Sequence, residues 1–354
     1  MSKLKPLMDS FGRRITYLRI SVTDRCNLRC VYCMPEDGIS LLNHDEVISY
    51  EDILRLVGIL SNHGVNKIRI TGGEPLVRKG LTGFIENIGR IKGVEDISMT
   101  TNGILLERYA SELYNAGLKR INISLDSLKE DRFNKITRIG NLKDVLTGIK
   151  IAKKTGFNPV KINTVLIKGI NDGEIIDFVN FAKEFELNLR FIEYMPIGGN
   201  IADAVLSKEI EEKIKSEFDD FSLIAGSQAN NADNKDGGSA AGVADKAEVY
   251  NSVSRSFGFK DGKAVIGFIS PLSEHFCGDC NRLRLTASGD LRPCLFYDNE
   301  YNIRYILKEN GDEAVFEKIS DIIKLKRFKH SFNEKAKKQE SLLWANDFMN
   351  GIGG

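Results

Sequence analysis

Six cysteines are the residues of this 354-residue chain with the most chemistry to offer, and they fall in two groups of three. Cys26, Cys30 and Cys33 stand close together in the run CNLRCVYC, and Cys277, Cys280 and Cys294 lie near the other end. Three thiolates on a short loop can hold three irons of a [4Fe-4S] cube and leave the fourth iron open to a small molecule. Disulfides would be unusual in a reducing cytosol, so two triads with no cysteine left over point to metal chemistry. Zinc is the competing metal, and it wants four ligands. The nearest imidazole to the first triad is His44, well outside its loop, whereas His275 could complete a Cys3His site with the second. A zinc ribbon would require a further CxxC pair near this triad, where the chain offers only Cys294.

Cations form the second candidate group. Arg282 and Arg284 alternate around Leu283, so on a strand both guanidinium groups project from one face beside the second triad. Paired planar donors suit the oxygens of a polyphosphate, although a solvated strand face is the plainer explanation. A third feature is the TGGEP run from Thr71 to Pro75. Its glycines permit close approach of the backbone to a ligand, and Pro75 can open the next helix.

Positioning these groups requires a regular scaffold, and the sequence between Arg14 and Pro196 repeats one unit: a short β-branched run, a turn and an amphipathic helical stretch. Strands are expected at YLRISVT (from 17), KIRITGG (67), DISMTTNG (96), RINISLD (120), VKINTVLI (160) and LRFIEYM (189), with helices between them, for example Tyr50 to Asn62 and Leu142 to Thr155. Six such βα units predict a parallel sheet that is closed or partly closed like a barrel. Buried parallel strands usually read as continuous apolar runs, yet these alternate. Arg19, Ser21 and Thr23 share one face, as do Lys67, Arg69 and Thr71, Ser98 and Thr100, Asn122, Ser124 and Asp126, and Lys161 and Asn163; the other faces carry isoleucines. With the isoleucines against the helices, the lumen would be lined by hydroxyls, amides and cations, which is costly unless something polar occupies it. An open sheet with one solvated face is the alternative.

Composition narrows the classes further. Lysine and arginine total 50 against 49 acids, so no broad cationic surface for nucleic acid or membrane is expected and any anionic partner must be met locally. The start lacks the apolar core of a signal peptide and no stretch reaches bilayer length, which reads as cytoplasmic. The pattern divides the chain into residues 1–215, the barrel, and 216–354, a smaller region. Residues 226–247 form a small, polar stretch expected to be a surface insertion. Strand-like runs resume at EVYNSVSRSFGF and AVIGFISP, and the tail from Asn302 reads as helical and ends in Gly353 and Gly354.

The first cysteine run behind a first strand, followed by GGEP behind the second, resembles the radical S-adenosylmethionine (SAM) superfamily. The CxxC with its third cysteine, the CNRLRLT run and the terminal Gly-Gly are similar, over nearly the whole chain, to the GTP 3',8-cyclase family of molybdenum cofactor biosynthesis. That resemblance implies an α/β fold, an incomplete (β/α)6 barrel with a small C-terminal α+β region that carries a second cluster. It implies two [4Fe-4S] clusters with three cysteine ligands each, and SAM on the open iron of the first. Tyr32 would lie near the adenine, Gly73 at the methionine end, Ser124 at the ribose and Met195 beside the adenosyl group. Arg19, Arg69, Thr100, Lys161, Arg282, Leu283 and Arg284 would contact GTP, whose guanine would meet the open iron of the second cluster. Gly353 and Gly354 would reach toward the active site, where the plainer expectation is a frayed end.

The implied reaction begins when an electron cleaves SAM to methionine and a 5'-deoxyadenosyl radical. That radical takes the 3' hydrogen of the GTP ribose, and the carbon radical attacks C8 to give 3',8-cyclo-7,8-dihydro-GTP after a second electron. No side-chain acid or base is assigned. A reductant or electron-transfer protein and a downstream cyclic pyranopterin monophosphate synthase would be partners, and a homodimer is compatible with the family, although the chain carries no signature of any of them. Two other readings stay open: a peptide-modifying radical SAM maturase with an auxiliary cluster, and a zinc-stabilised nucleic-acid-binding protein.

Overall fold

The computed structural model describes residues 5–195, 203–224, 254–274, 276–296 and 300–329. The polar stretch 226–247, His275, Gly353 and Gly354 lie outside the described residues. Six strands, β1 (Tyr17–Ser21), β2 (Lys67–Thr71), β3 (Asp96–Thr101), β4 (Arg120–Ser124), β5 (Val160–Leu166) and β6 (Asn188–Glu193), are connected through α1 (Tyr50–Asn62), α2 (Leu81–Gly89), α3 (Leu106–Asn115), α4 (Glu130–Thr137), α5 (Leu142–Thr155) and α6 (Ile175–Glu184). After them come α7 (Ser207–Glu217), β7 (Ser222–Leu223), β8 (Arg255–Gly258), β9 (Val265–Ile269), β10 (Arg282–Leu285), β11 (Asp290–Arg292), β12 (Tyr301–Asn302), α8 (Arg304–Glu309) and α9 (Asp312–Lys324). Among the described residues no helix is long and apolar enough to cross a membrane.

Local chemistry sets the helix limits. Ser49 caps α1 by accepting from the Asp52 N–H, and the buried Ile53, Leu56, Val57 and Leu60 follow the helical spacing that presents one apolar stripe. Asn141 caps α5 through the Lys143 N–H, and Gly156 ends it in the left-handed conformation with φ of 104°. Both helices occupy the spans expected from the sequence.

All the described strands join one sheet in the order β12-β11-β10-β1-β2-β3-β4-β5-β6-β9-β8-β7. From β10 through β9 neighbours run parallel, and the outer pairs are antiparallel. The strands beyond residue 215 therefore extend the six-stranded wall at both edges: β9 pairs with β6, and β10 pairs with β1. Asn281 fixes the β10 edge, its carbonyl accepting from the Thr16 and Tyr17 N–H groups and its amide donating to Thr16 Oγ1 at 2.8 Å.

Ile20, Ile68, Ile70, Ile121, Ile123 and Ile162 are buried in the hydrophobic core. At about 2 kcal/mol for each buried isoleucine, this face drives the helices onto the sheet. The alternate face is the polar one. It curves around a cavity, so the sheet has the partial-barrel form rather than a solvated open face.

Candidate active site

One cavity of about 370 Å³ is lined by all six cysteines. Residues more than 240 positions apart in the chain line one cavity because β10 lies parallel to β1, which puts the loop before β10 at one end of the strands and the loop after β1 at the other. The cysteines are free and partly exposed to this cavity. Among the described residues no three His, Cys, Asp or Glu side chains converge to hold a single metal ion.

The first triad is shaped by its backbone. Cys30 O accepts from the Cys33 and Met34 N–H groups, and the Arg29 and Val31 N–H groups donate to Thr137 O and Ile136 O at the end of α4. Arg138 donates to Arg29 O and Met34 O, closing the loop from the other side. Burial pushes the Cys26 thiol up to about 11 and raises Cys30 well above the ordinary thiol range. Only coordination to a cation would keep such buried sulfurs as thiolates at neutral pH.

The TGGEP turn is packed against this loop. A Cβ on Gly73 would stand 2.3 Å from Arg25 O, and the Gly73 and Glu74 N–H groups donate to Thr23 O and Arg25 O. The sequence suggested that the glycines admit a ligand; the closest approach is to the chain's own backbone, although both glycines also line the cavity. Pro75 opens a 3-10 turn, Pro75–Val77, rather than a full helix. Glu74 turns inward, fully buried, and accepts from the Leu76 N–H, Thr101 Oγ1 (2.8 Å) and the Asn102 N–H (2.7 Å). Its carboxyl is pushed up to about 7, because burial outweighs those donors. Asn102 in turn donates to Asn27 Oδ1 beside the first triad.

Tyr32, Gly73, Ser124 and Met195 all line the cavity. Tyr32 Oη donates to Asp126 Oδ2 at 2.5 Å, and Asp126 Oδ1 accepts from the Val165 N–H. Burial pushes Asp126 up to about 6. Arg19, Arg69, Thr100, Arg282 and Arg284 line it as well. Two of the expected contacts do not. Leu283 points into the hydrophobic core, as the same alternation that aims Arg282 and Arg284 inward requires. Lys161 is buried in the row it shares with Asn122 but does not line the cavity.

Register explains the charge of the wall. Arg284, Arg19 and Arg69 stand side by side on three adjacent strands, with Arg282, Tyr17 and Lys67 in the row below. Adjacent strands are about 4.8 Å apart, so neighbouring guanidinium groups repel. Burial, followed by the neighbouring Arg284, lowers Arg19 well below its ordinary value; burial and then Arg282 lower Arg284 to about 10. Burial would raise the Tyr17 phenol, yet Arg69, Arg19 and Arg282 together leave it lowered. Beyond burial, these shifts reflect like charges crowded on one wall, an arrangement that a bound anion would relieve. Tyr17, Asp96, Arg120 and Arg190 also line the cavity and were not singled out from the sequence. Extending each strand's alternation by one more pair would have found the first three.

At the second triad, burial pushes the Cys280 thiol up, but the Lys326 ammonium and the Arg282 guanidinium outweigh it and leave the group lowered. The two triads thus sit in opposite electrostatic surroundings. Lys326 was also missed, since nothing in its local sequence distinguishes it from a surface lysine.

Comparison with known proteins agrees with this geometry. The radical SAM superfamily model matches residues 20–182, and the Molybdenum Cofactor Synthesis C model matches residues 187–332. The GTP 3',8-cyclase of Thermodesulfovibrio yellowstonii is 48% identical over 90% of this chain and 94% of its own length. That of Petrotoga mobilis is 42% identical over 98% and 100%, and that of Clostridium botulinum (strain Hall) 44% identical over 96% and 99%. Among solved structures, Streptococcus suis SuiB bound to S-adenosylmethionine superposes with a TM-score of 0.56 at 16% identity, over 88% of this chain and 66% of that one, a likeness of fold. With those relatives matched along almost their full length, the chain belongs to the GTP 3',8-cyclase family of the radical SAM superfamily.

Proposed function

We propose that this protein is a GTP 3',8-cyclase, converting GTP to (8S)-3',8-cyclo-7,8-dihydroguanosine 5'-triphosphate in the first step of molybdenum cofactor biosynthesis. The observation that carries the reading is a single cavity with a cysteine triad at either end and a row of arginines between them on β10, β1 and β2. Residues 1–215 supply the first triad and the SAM side, and residues 216–354 supply the second triad and part of the triphosphate side. Membership of the radical SAM superfamily implies one [4Fe-4S] cluster and SAM. A second [4Fe-4S] cluster on Cys277, Cys280 and Cys294 is part of the proposal.

When bound and reduced, the first cluster and SAM supply a primary carbon radical able to remove a hydrogen atom. The chain's own residues do the rest. Arg282, Arg284, Arg19 and Arg69 bind the triphosphate through charge-assisted hydrogen bonds of the kind a neutral peptide substrate would not use. Tyr32, Gly73, Ser124 and Met195 hold SAM, with Tyr32 fixed by its bond to Asp126. Thr100 stands on β3 beside Asn122, whose amide donates to it at 3.4 Å, and contacts GTP. Leu283 can reach the nucleotide only through its backbone, and Lys161 would have to turn toward it. Holding C3' and C8 of one nucleotide against the SAM-derived carbon, away from water, is the catalytic task, and alignment of this kind is worth several kcal/mol. A reductant supplies the electrons, and a downstream cyclic pyranopterin monophosphate synthase takes the product.

The test is anaerobic reconstitution with iron and sulfide, then incubation with SAM, dithionite and GTP, followed by mass spectrometry. The reading requires 5'-deoxyadenosine and a cyclised guanine nucleotide, with no such nucleotide from ATP. Cleavage of SAM without a GTP-dependent product would retain the superfamily and overturn the substrate.

A further inference from the structure

Lys326 follows α9 and turns back into the protein, where it is 3% exposed. An ammonium group so deeply buried is costly unless it is paired and hydrogen-bonded. Its three donors are all engaged. Nζ donates to Arg282 O at 2.6 Å, to Pro293 O at 2.9 Å and to Cys280 Sγ at 3.4 Å. No carboxylate among the described residues pairs with it, and the counter-charge these residues offer Lys326 is the sulfur of Cys280. The same three bonds tie the start of β10 to the residue that precedes Cys294, joining the two arms of the second triad.

A brace holds the segment in place. Arg13, paired with the buried Asp9 at 2.5 Å, donates to Arg327 O at 2.8 Å, Phe328 O at 3.0 Å and Cys277 O at 2.5 Å. The backbone that carries Lys326 is therefore clamped to the loop that carries the first cysteine of this triad.

We propose that Lys326 is a positioning residue of the second cluster, which ties its two arms together and raises the potential at which that cluster accepts an electron. The inference rests on the reading that Cys277, Cys280 and Cys294 hold an iron-sulfur cluster. Reduction adds one electron from an external low-potential reductant and no proton, so the cluster and its thiolates become more negative by one unit. A positive charge hydrogen-bonded to a ligand sulfur stabilises that reduced form over the oxidised one. A neutral side chain would not.

The experiment uses the full chain carrying Cys26→Ala, Cys30→Ala and Cys33→Ala, reconstituted anaerobically so that only the second cluster contributes iron. Its midpoint is read by dithionite titration followed by electron paramagnetic resonance, with iron counted in parallel. In this background Lys326→Met should move the midpoint to lower potential, and Lys326→Arg should keep it near the parent value. If Lys326→Met holds no cluster, Lys326→Gln, which keeps a donor without the charge, is read in its place and should show the same downward shift. An unchanged midpoint in the neutral variants at full iron content, or an equal shift in Lys326→Arg, overturns the proposal while leaving the second cluster intact. Absence of iron from the parent background overturns the cluster reading and this proposal with it.

Discussion

Replacing Arg284 with methionine should change the protein in opposite directions according to whether nucleotide is present. Arg284 is 7% exposed, and burial followed by Arg282 brings it down from its ordinary value to about 10. A base whose value is lowered on folding costs stability at every pH below its folded value, and the cost lifts as pH rises through about 10. At neutral pH the full penalty applies, and a shift of this size corresponds to about 3 kcal/mol. That value already includes the thiolates of Cys294 and Cys280, which act on Arg284 in the favourable sense. Arg284→Met should therefore stabilise the nucleotide-free, cluster-loaded protein by up to about 3 kcal/mol, read as a rise of several degrees in melting temperature. With triphosphate the sign reverses. Losing one charge-assisted contact to phosphate costs about 1.5–3 kcal/mol, or roughly 10- to 150-fold in affinity. The assay is a melting curve with and without GTP for both proteins, together with a binding isotherm. A variant that melts lower without nucleotide, and that gains as much from GTP as the parent does, would refute the account of this wall as charge stored for an anion.

Gly73→Ala should place a methyl group against Arg25 O, where a Cβ has only 2.3 Å, and so push the loop of the first triad aside. A cost of about 1–3 kcal/mol and weakened SAM binding are expected, measured by melting and by SAM titration. Glu74 is raised on folding from 4.5 to about 7, so its contribution to stability is full below 4.5 and lost as pH rises through 7. Glu74→Gln should flatten the fall in melting temperature between about pH 4.5 and 7. It should also lower stability at pH 6, because an amide cannot accept from Leu76, Thr101 and Asn102 together. Serine in place of the three cysteines of either triad should remove about half of the iron, as counted after reconstitution.

The scaffold was legible where local rules decide it. The α1 and α5 boundaries follow from caps at Ser49 and Asn141 and from apolar spacing, and alternation along β1 to β5 implies a polar lumen. Lys161 shows the limit of that alternation, which names a face but not whether its side chain reaches the cavity. Pairing between distant strands was not legible. Nothing in RLRL says that β10 will lie beside β1, or that β9 will extend the other edge, because that choice is made by contacts remote in sequence. Lys326 and Arg13 were invisible for the same reason. Each acts on the second triad from a segment whose own neighbours carry no trace of it.

The pairing of Tyr17 with Arg282 also has a consequence for how the protein is made. The outer edge of β1 leaves the ribosome early, but its partner strand is encoded roughly 265 residues later. At about 5–20 residues per second that edge stands open for roughly 13 to 50 s of synthesis. An unpaired strand edge is a template for association with other chains, and its cysteine loop emerges beside it. A nascent chain interrupted anywhere before residue 282 would carry the first triad on an exposed sheet edge, so a cell producing this protein has reason to shield or remove incomplete copies rather than leave them in solution.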